Sequence, residues 1–202
     1  MNTRKLITKA SDFLAELRTT TQSQEQQELL DVLFDALLFI DSTGQLYSFE
    51  DYRKHLASDD PPRVVAAFNT REQADAWLRE HPAPPSSAYI LVADQYHHLI
   101  YIREKNHRRL FPHPVLEYHL GERMREGLPP PVASFATRQE AEAWLQNQAM
   151  PPTQAVIQIA GELHLAVYHP HINHRSIYPF SMAANVAEPE DQDQGPTGEP
   201  TK

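Results

Sequence analysis

The chain has 202 residues, no cysteine and a formal net charge of −9. This length suits one medium domain or two small ones, and the lack of cysteine excludes disulfides and thiolate metal sites. The acidic balance argues against broad nucleic-acid binding, which needs a basic surface. Because no apolar run has the length of a signal peptide or a membrane span, we expect a soluble cytoplasmic protein without a membrane partner.

The first 60 residues are predicted to form a helical segment. Apolar residues recur at helical spacing over residues 3–18. A second helix is apolar on nearly all sides over residues 29–40, so we expect it to be buried on more than one side. A short strand is predicted over residues 45–49 and a short helix over residues 49–57.

A duplicated block follows. Residues 65–112 align without a gap on residues 132–179, at an offset of 67, and 20 of the 48 positions are identical. Both tryptophans of the protein, Trp77 and Trp144, occupy equivalent positions. Such self-similarity predicts two copies of one supersecondary unit.

Each copy is predicted to be a β-α-β-β unit. Thr70 and Thr137 each begin an S/T-x-x-E/Q capping box, which starts a helix. The prolines at 84–85 and 151–152 end these helices, and a tight two-stranded hairpin follows in each copy. A further helix is predicted over residues 114–127, between the copies.

The predicted fold class is therefore α+β, with tandem β-α-β-β repeats related by a pseudo-twofold and an N-terminal helical segment packed on an antiparallel sheet. The strands of the two copies could join in one continuous sheet. The predicted divisions are 1–60 for the helical segment, 61–128 for the first repeat and 129–186 for the second. Residues 187–202 are predicted to be a disordered acidic tail, because they have few apolar side chains to offset ordering entropy.

Comparison of the copies predicts which sheet face is core. Ile90 and Val92 match Ile157 and Ile159, so they should face the helix of their own repeat. A recurring set is predicted to lie on the opposite face, and it consists of His97, Tyr101, His164 and Tyr168. This face is either a binding surface rich in tyrosine, or it is covered by the N-terminal helices or the helix over 114–127.

The run Asn-His-Arg recurs at residues 106–108 and 173–175. Its arginines could bind an anion or a carboxylate of a partner. Alternatively the run is a loop turn held within the protein. The predicted partner-binding residues are His97, Tyr101, His107, Arg108, His164, Tyr168, His174 and Arg175.

Catalytic and metal signatures are weak. The eleven histidines include a dense run at residues 169–174, but its spacing matches no standard zinc pattern. The chain has no G-x-S-x-G elbow and no glycine-rich phosphate loop. We therefore predict no catalytic residue, no metal site and no cofactor.

The motif F-x-T-x-x-x-A-x-x-W-L, at residues 68–78, precedes a hairpin. In this it resembles small α+β sheet modules such as the peptidoglycan-binding SPOR-type domains. The matching positions are capping and core residues, so the resemblance assigns no family.

The predicted function is a non-enzymatic protein-binding module, of the immunity or antitoxin type, whose acidic charge speeds capture of a basic partner. One alternative is a metal- or ligand-dependent enzyme or sensor that uses His97, His164, His171 and His174. A second is a nucleic-acid-binding regulator that uses the basic residues within 103–109. The sequence leaves homo-oligomerisation open.

Overall fold

The computed structural model of the protein describes residues 2–185, so the predicted acidic tail lies outside the described residues. This part of the chain contains six α-helices and two four-stranded sheets, with three of the helices at the N-terminus. The α+β class is thereby confirmed. The chain divides into two compact units, Met1–Asp59 and Asp60–Lys202, which we call the N-terminal and C-terminal units.

Three helices make up the N-terminal unit: α1 (Thr3–Thr20), α2 (Gln24–Ser42) and α3 (Leu46–Leu56). Side chains cap the first two helices, because Asn2 accepts a hydrogen bond from the backbone of Arg4 and Ser23 accepts one from Gln26. Helices α1 and α2 pack on each other, and α3 contacts both.

Two predictions about this unit are wrong. The strand expected over residues 45–49 is not formed, because residues 46–49 belong to α3 and Gln45 is its N-cap. Gly44 takes a φ of +73° after α2, and Gln45 N–H donates to Ile40 O at 3.0 Å, so the chain reverses directly into a helix. The burial expected for α2 is also wrong, since none of its residues is buried.

The C-terminal unit contains two sheets joined by one helix. The first sheet and its helix are β1 (Val64–Phe68), α4 (Arg71–Glu80), β2 (Ser87–Val92), β3 (Gln95–Ile102) and β4 (His107–Pro112). Helix α5 (Val115–Glu126) follows. The second sheet and its helix are β5 (Ser134–Phe135), α6 (Arg138–Gln146), β6 (Gln154–Ile159), β7 (Glu162–His169) and β8 (His174–Pro179).

Each copy has one strand more than predicted. β4 and β8 start within the Asn-His-Arg runs, after 3-10 turns at Arg103–Lys105 and Pro170–Ile172. Asn106 and Asn173 have φ values of +45° and +48°, and this left-handed conformation, which asparagine tolerates, returns the chain alongside the hairpin. The expected continuous sheet is wrong, because the strand orders are β1-β2-β3-β4 and, separately, β5-β6-β7-β8.

The two sheets have the same pairing, displaced by 67 residues. Ile90 pairs with His97 in the first sheet, and Ile157 pairs with His164 in the second. The first two strands of each sheet are parallel, whereas the other neighbours are antiparallel. The predicted antiparallel sheet structure did not include these parallel pairs, which arise because α4 and α6 are crossover connections.

Threonine caps begin α4 and α6, as predicted. At α6 the capping box is reciprocal, since Thr137 accepts from the backbone of Glu140 and the Glu140 carboxylate accepts from the backbone of Thr137. At α4 the box is incomplete. Thr70 accepts from Gln73 N–H at 3.3 Å, but the Gln73 side chain accepts from Asn69 N–H at 3.0 Å instead.

The core of the C-terminal unit consists of three clusters. The first lies between α4 and the first sheet and contains Ala74, Leu78, Ile90, Val92, Leu99 and Leu110. The corresponding cluster beside α6 contains Ala141, Leu145, Ile157, Ile159, Ala166 and Ile177. The central cluster combines residues of both sheets with α5, and includes Leu91, Tyr96, Leu116, Leu120, Leu165, Val167 and Tyr178. The prediction that Ile90 and Val92 face their own helix is confirmed.

Candidate functional site

The sheet face predicted for the His and Tyr side chains is wrong. Ile90 packs against α4 and is the direct cross-strand partner of His97. Directly paired residues of antiparallel strands project from the same face, so His97 also lies on the α4 side. The hairpin turn has two residues, so even-numbered residues of β2 pair with odd-numbered residues of β3. The odd-numbered side chains of β3 therefore lie on the same face as Ile90 and Val92, and not on the opposite face as predicted.

Two of the predicted binding residues are buried. His97 and His164 are only 5% and 8% exposed. Each ring has its Nδ1 3.1 Å from a backbone oxygen two residues earlier, of Gln95 and Glu162 respectively. These imidazoles therefore stabilise the start of β3 and β7 and offer little surface to a partner.

Tyr101, Asn106 and Arg108 form one group where β3 leads into β4. The Asn106 side chain accepts a hydrogen bond from Arg108, whose guanidinium carbon lies 5.0 Å from the centroid of the Tyr101 ring. Arg108 also donates to His81 O at 3.4 Å. His107, between them in sequence, is exposed. The group ties the turn to the end of α4.

The second sheet repeats this group. The guanidinium carbon of Arg175 lies 4.7 Å from the centroid of the Tyr168 ring. Arg175 donates to Asn173 Oδ1 at 3.1 Å and to Gln148 O at 3.4 Å. Because both arginines are engaged within their own repeats, the geometry favours a loop turn over an anion site. Partner binding by these residues stays a prediction.

The histidine-rich run at residues 169–174 contacts the first sheet. Nε2 of His169 lies 3.4 Å from the hydroxyl of Tyr96, and Nε2 of His171 contacts Val64 O. Nε2 of His174 lies 2.7 Å from Asp94 Oδ1. Among the described residues, no three His, Asp or Glu side chains are grouped to hold a metal ion. The run therefore acts as a bridge between sheets.

Asp94 is the acceptor at the centre of this bridge. Its Oδ1 also accepts a hydrogen bond from Ser176 Oγ at 2.9 Å. The hydrogen bond with His174 lowers the pKa of Asp94, against the opposing effect of burial, and Ser176 lowers it further. Gly161 is the equivalent residue in the second copy, so the second hairpin turn has no carboxylate at this position.

An exposed apolar stripe runs along α2 in the N-terminal unit. We call it the α2 stripe, and its residues are Leu29, Val32, Leu33, Ala36 and Phe39. Its four large side chains are between 54% and 66% exposed. The spacing of three, four, seven and ten residues from Leu29 places them all along one side of the helix.

A second set of apolar residues on α2, Leu30, Phe34 and Leu37, is half-buried and lies on another side of the helix from the α2 stripe. At the start of α2, Leu29 and Leu30 line a cavity together with Leu17 and Thr21 of α1. Arg18 of α1 pairs with Asp31 of α2 at 3.0 Å, which places the packed side next to this ion pair. Helices α1 and α3 both contact α2, and the α2 stripe is an apolar side that stays exposed among the described residues.

Acidic residues accompany the α2 stripe. Helix α2 contains five Asp or Glu residues and no Lys or Arg. Glu28 and Asp35 lie four residues before and three after Val32, so they are its neighbours on the helix surface, and both are exposed. The surface is thus apolar with a negative margin.

Sequence reasoning missed this surface because it interpreted every apolar residue of α2 as core. The available signal was the presence of two stripes on one helix. A single neighbouring helix can cover only one of them.

Comparison of the chain with models of protein families, with curated proteins and with solved structures found no significant match. In the part of the chain that is described, no helix is both long and apolar enough to cross a membrane.

Proposed function

We propose that the protein is a non-enzymatic protein-binding module and that the α2 stripe is its binding surface. The observation that carries this proposal is the exposure of the stripe, with Val32 at 66% and Leu29 at 60%. Soluble proteins rarely expose contiguous apolar patches beyond a few hundred Å², and such patches commonly mark interaction sites. A partner would remove this area from water.

In its narrower form the proposal is an immunity or antitoxin-type inhibitor. The net charge of −9 would attract a basic partner over a distance of about 10 Å at moderate salt, and would raise the rate of encounter. A toxin that acts on nucleic acid is one class of basic protein that fits this charge.

We further propose that the two sheets form a duplicated scaffold, whose tandem repeats are related by a pseudo-twofold. The identical strand order and the common offset of 67 residues in the pairing support this arrangement. The side chains shared by the copies are mostly core, capping and turn residues, which suits a scaffold.

Affinity capture from the native lysate tests the function. The bait is the full chain, and the comparison is the double variant Val32→Ser/Phe39→Ser. We expect the wild-type chain to recover a protein that the double variant loses by at least tenfold, with the interaction then reproduced by the two purified proteins. Failure to recover any protein that depends on these residues contradicts the proposal.

The chain offers a matched control. Leu38 is 49% exposed and adjoins Phe39, which is 55% exposed, but it projects from another side of α2. Leu38→Ser should retain capture, whereas Phe39→Ser should reduce it. If Tyr101→Ala/Tyr168→Ala abolishes capture in a folded protein, the binding surface lies on the sheets instead.

A further inference from the structure

We infer that the partner segment bound by the α2 stripe is an amphipathic helix with Lys or Arg along one margin of its apolar side. This inference rests on the proposed function and adds the chemistry of the partner. It commits to a heterologous basic helix rather than to a second copy of this chain or a membrane surface.

The shape of the stripe suits a helix. From Leu29 to Phe39 it extends about 15 Å along α2, at 1.5 Å per residue. Ala36 lies within it between larger side chains, so a partner side chain can approach the α2 backbone there. Side chains at intervals of three and four residues form the ridges that interdigitate with those of a second helix.

The acidic residues beside the α2 stripe favour a basic partner. Asp31 is already paired with Arg18, but Glu28 and Asp35 are exposed beside Val32. Because α2 carries no basic residue, its margin has one sign throughout. A docked helix with Lys or Arg at that margin gains attraction, and one with Asp or Glu meets like charge.

A second copy fits less well. Pairing two α2 helices would bring Glu28 and Asp35 of both copies together, so their carboxylates would repel each other. An anionic membrane would be repelled by the same carboxylates.

Two synthetic peptides of about the length of α2 test this inference. Both peptides have the same apolar side, which consists of Leu and Ala. Along one margin of that side, one peptide has Lys and the other has Glu. With the full chain we expect the Lys peptide to bind at least tenfold more tightly than the Glu peptide, measured by calorimetry. Its affinity should fall severalfold when salt is raised from about 50 to 500 mM.

Variants locate the binding. Phe39→Ser should weaken binding of the Lys peptide at least tenfold and Leu38→Ser should leave it unchanged, with circular dichroism confirming that both variants are folded. Glu28→Gln/Asp35→Asn should weaken it about threefold to tenfold and remove most of its salt dependence.

The outcomes separate the two proposals. Equal binding of both peptides through Phe39, or tighter binding of the Glu peptide, would leave protein binding standing and overturn the basic partner. Binding that survives Phe39→Ser, or no binding of either peptide, would overturn the basic helix as partner, and the capture experiment would then decide the proposed function on its own. A dimer detected by sedimentation at micromolar concentration, and lost in Phe39→Ser, would assign the stripe to a second copy.

Discussion

His174 Nε2 and Asp94 Oδ1 are 2.7 Å apart and link the two sheets of the C-terminal unit. The same carboxylate oxygen accepts from Ser176, so one side chain in the turn of the first hairpin holds two residues of β8. Removing this carboxylate leaves both partners without their acceptor, which costs more than the loss of an exposed ion pair.

We predict that Asp94→Ala lowers the free energy of unfolding by about 1–2 kcal/mol at pH 7, because two partly buried hydrogen bonds are lost. Urea unfolding measures the change. Glu104→Ala removes the same charge at an exposed position of the first sheet and should cost less than about 0.5 kcal/mol. Equal losses in the two variants would show that net charge, rather than the bridge, sets the effect.

His98 should make stability fall on mild acidification. Burial lowers the pKa of His98, and the nearby His113 lowers it further. The folded state therefore binds a proton less readily than the unfolded chain. Stability is full above the ordinary histidine pKa of about 6.5 and falls as pH drops from there through the lowered value.

The effect of His98 is measured as the change in the midpoint urea concentration of unfolding between about pH 7.5 and 5.5. We expect His98→Gln to reduce this fall, and His107→Gln, at an exposed position, to leave it unchanged. His119, whose pKa burial also lowers, should account for part of the remaining fall. An unaltered pH dependence in His98→Gln would contradict the prediction.

The cap of α6 should be worth about 1 kcal/mol. Thr137 Oγ1 accepts from Glu140 N–H at 3.2 Å, so Thr137→Ala leaves that donor without its partner. Thr137→Ser keeps the hydroxyl and should retain most of the stability. Thermal unfolding of the three proteins decides the point, and a serine variant as unstable as the alanine variant would rule out capping as the cause.

The central cluster should dominate the stability of the C-terminal unit. Leu165 is 1% exposed among residues of both sheets, so Leu165→Ala should cost about 2–5 kcal/mol through lost burial and a residual cavity. Ile102, which is 38% exposed, provides the control, because its truncation should cost less than about 1 kcal/mol. A comparable loss for both variants would contradict the central role of the cluster.

The prediction of the sheet faces failed at one step. Ile90 and Val92 predict the core side of β2 correctly. The face predicted for His97 and Tyr101 of β3 is wrong, because these side chains lie on the same side of the sheet as Ile90. The pairing of Ile90 with His97 follows from a two-residue turn, and that constraint was present in the sequence. The fourth strands were harder to predict, because Asn106 and Asn173 resemble residues of an ordinary loop.

The sequence by itself determined the duplication, the caps at Thr70 and Thr137 and the α+β class. These features depend on short-range spacing and on backbone hydrogen bonds between near neighbours, which a single chain records directly. Only the tertiary structure decided that the histidine-rich run joins two separate sheets and that one apolar side of α2 is exposed among residues 2–185. The contacts of the run join residues that are far apart in the sequence. Apolar periodicity alone cannot distinguish a side chain that is buried from one that is exposed.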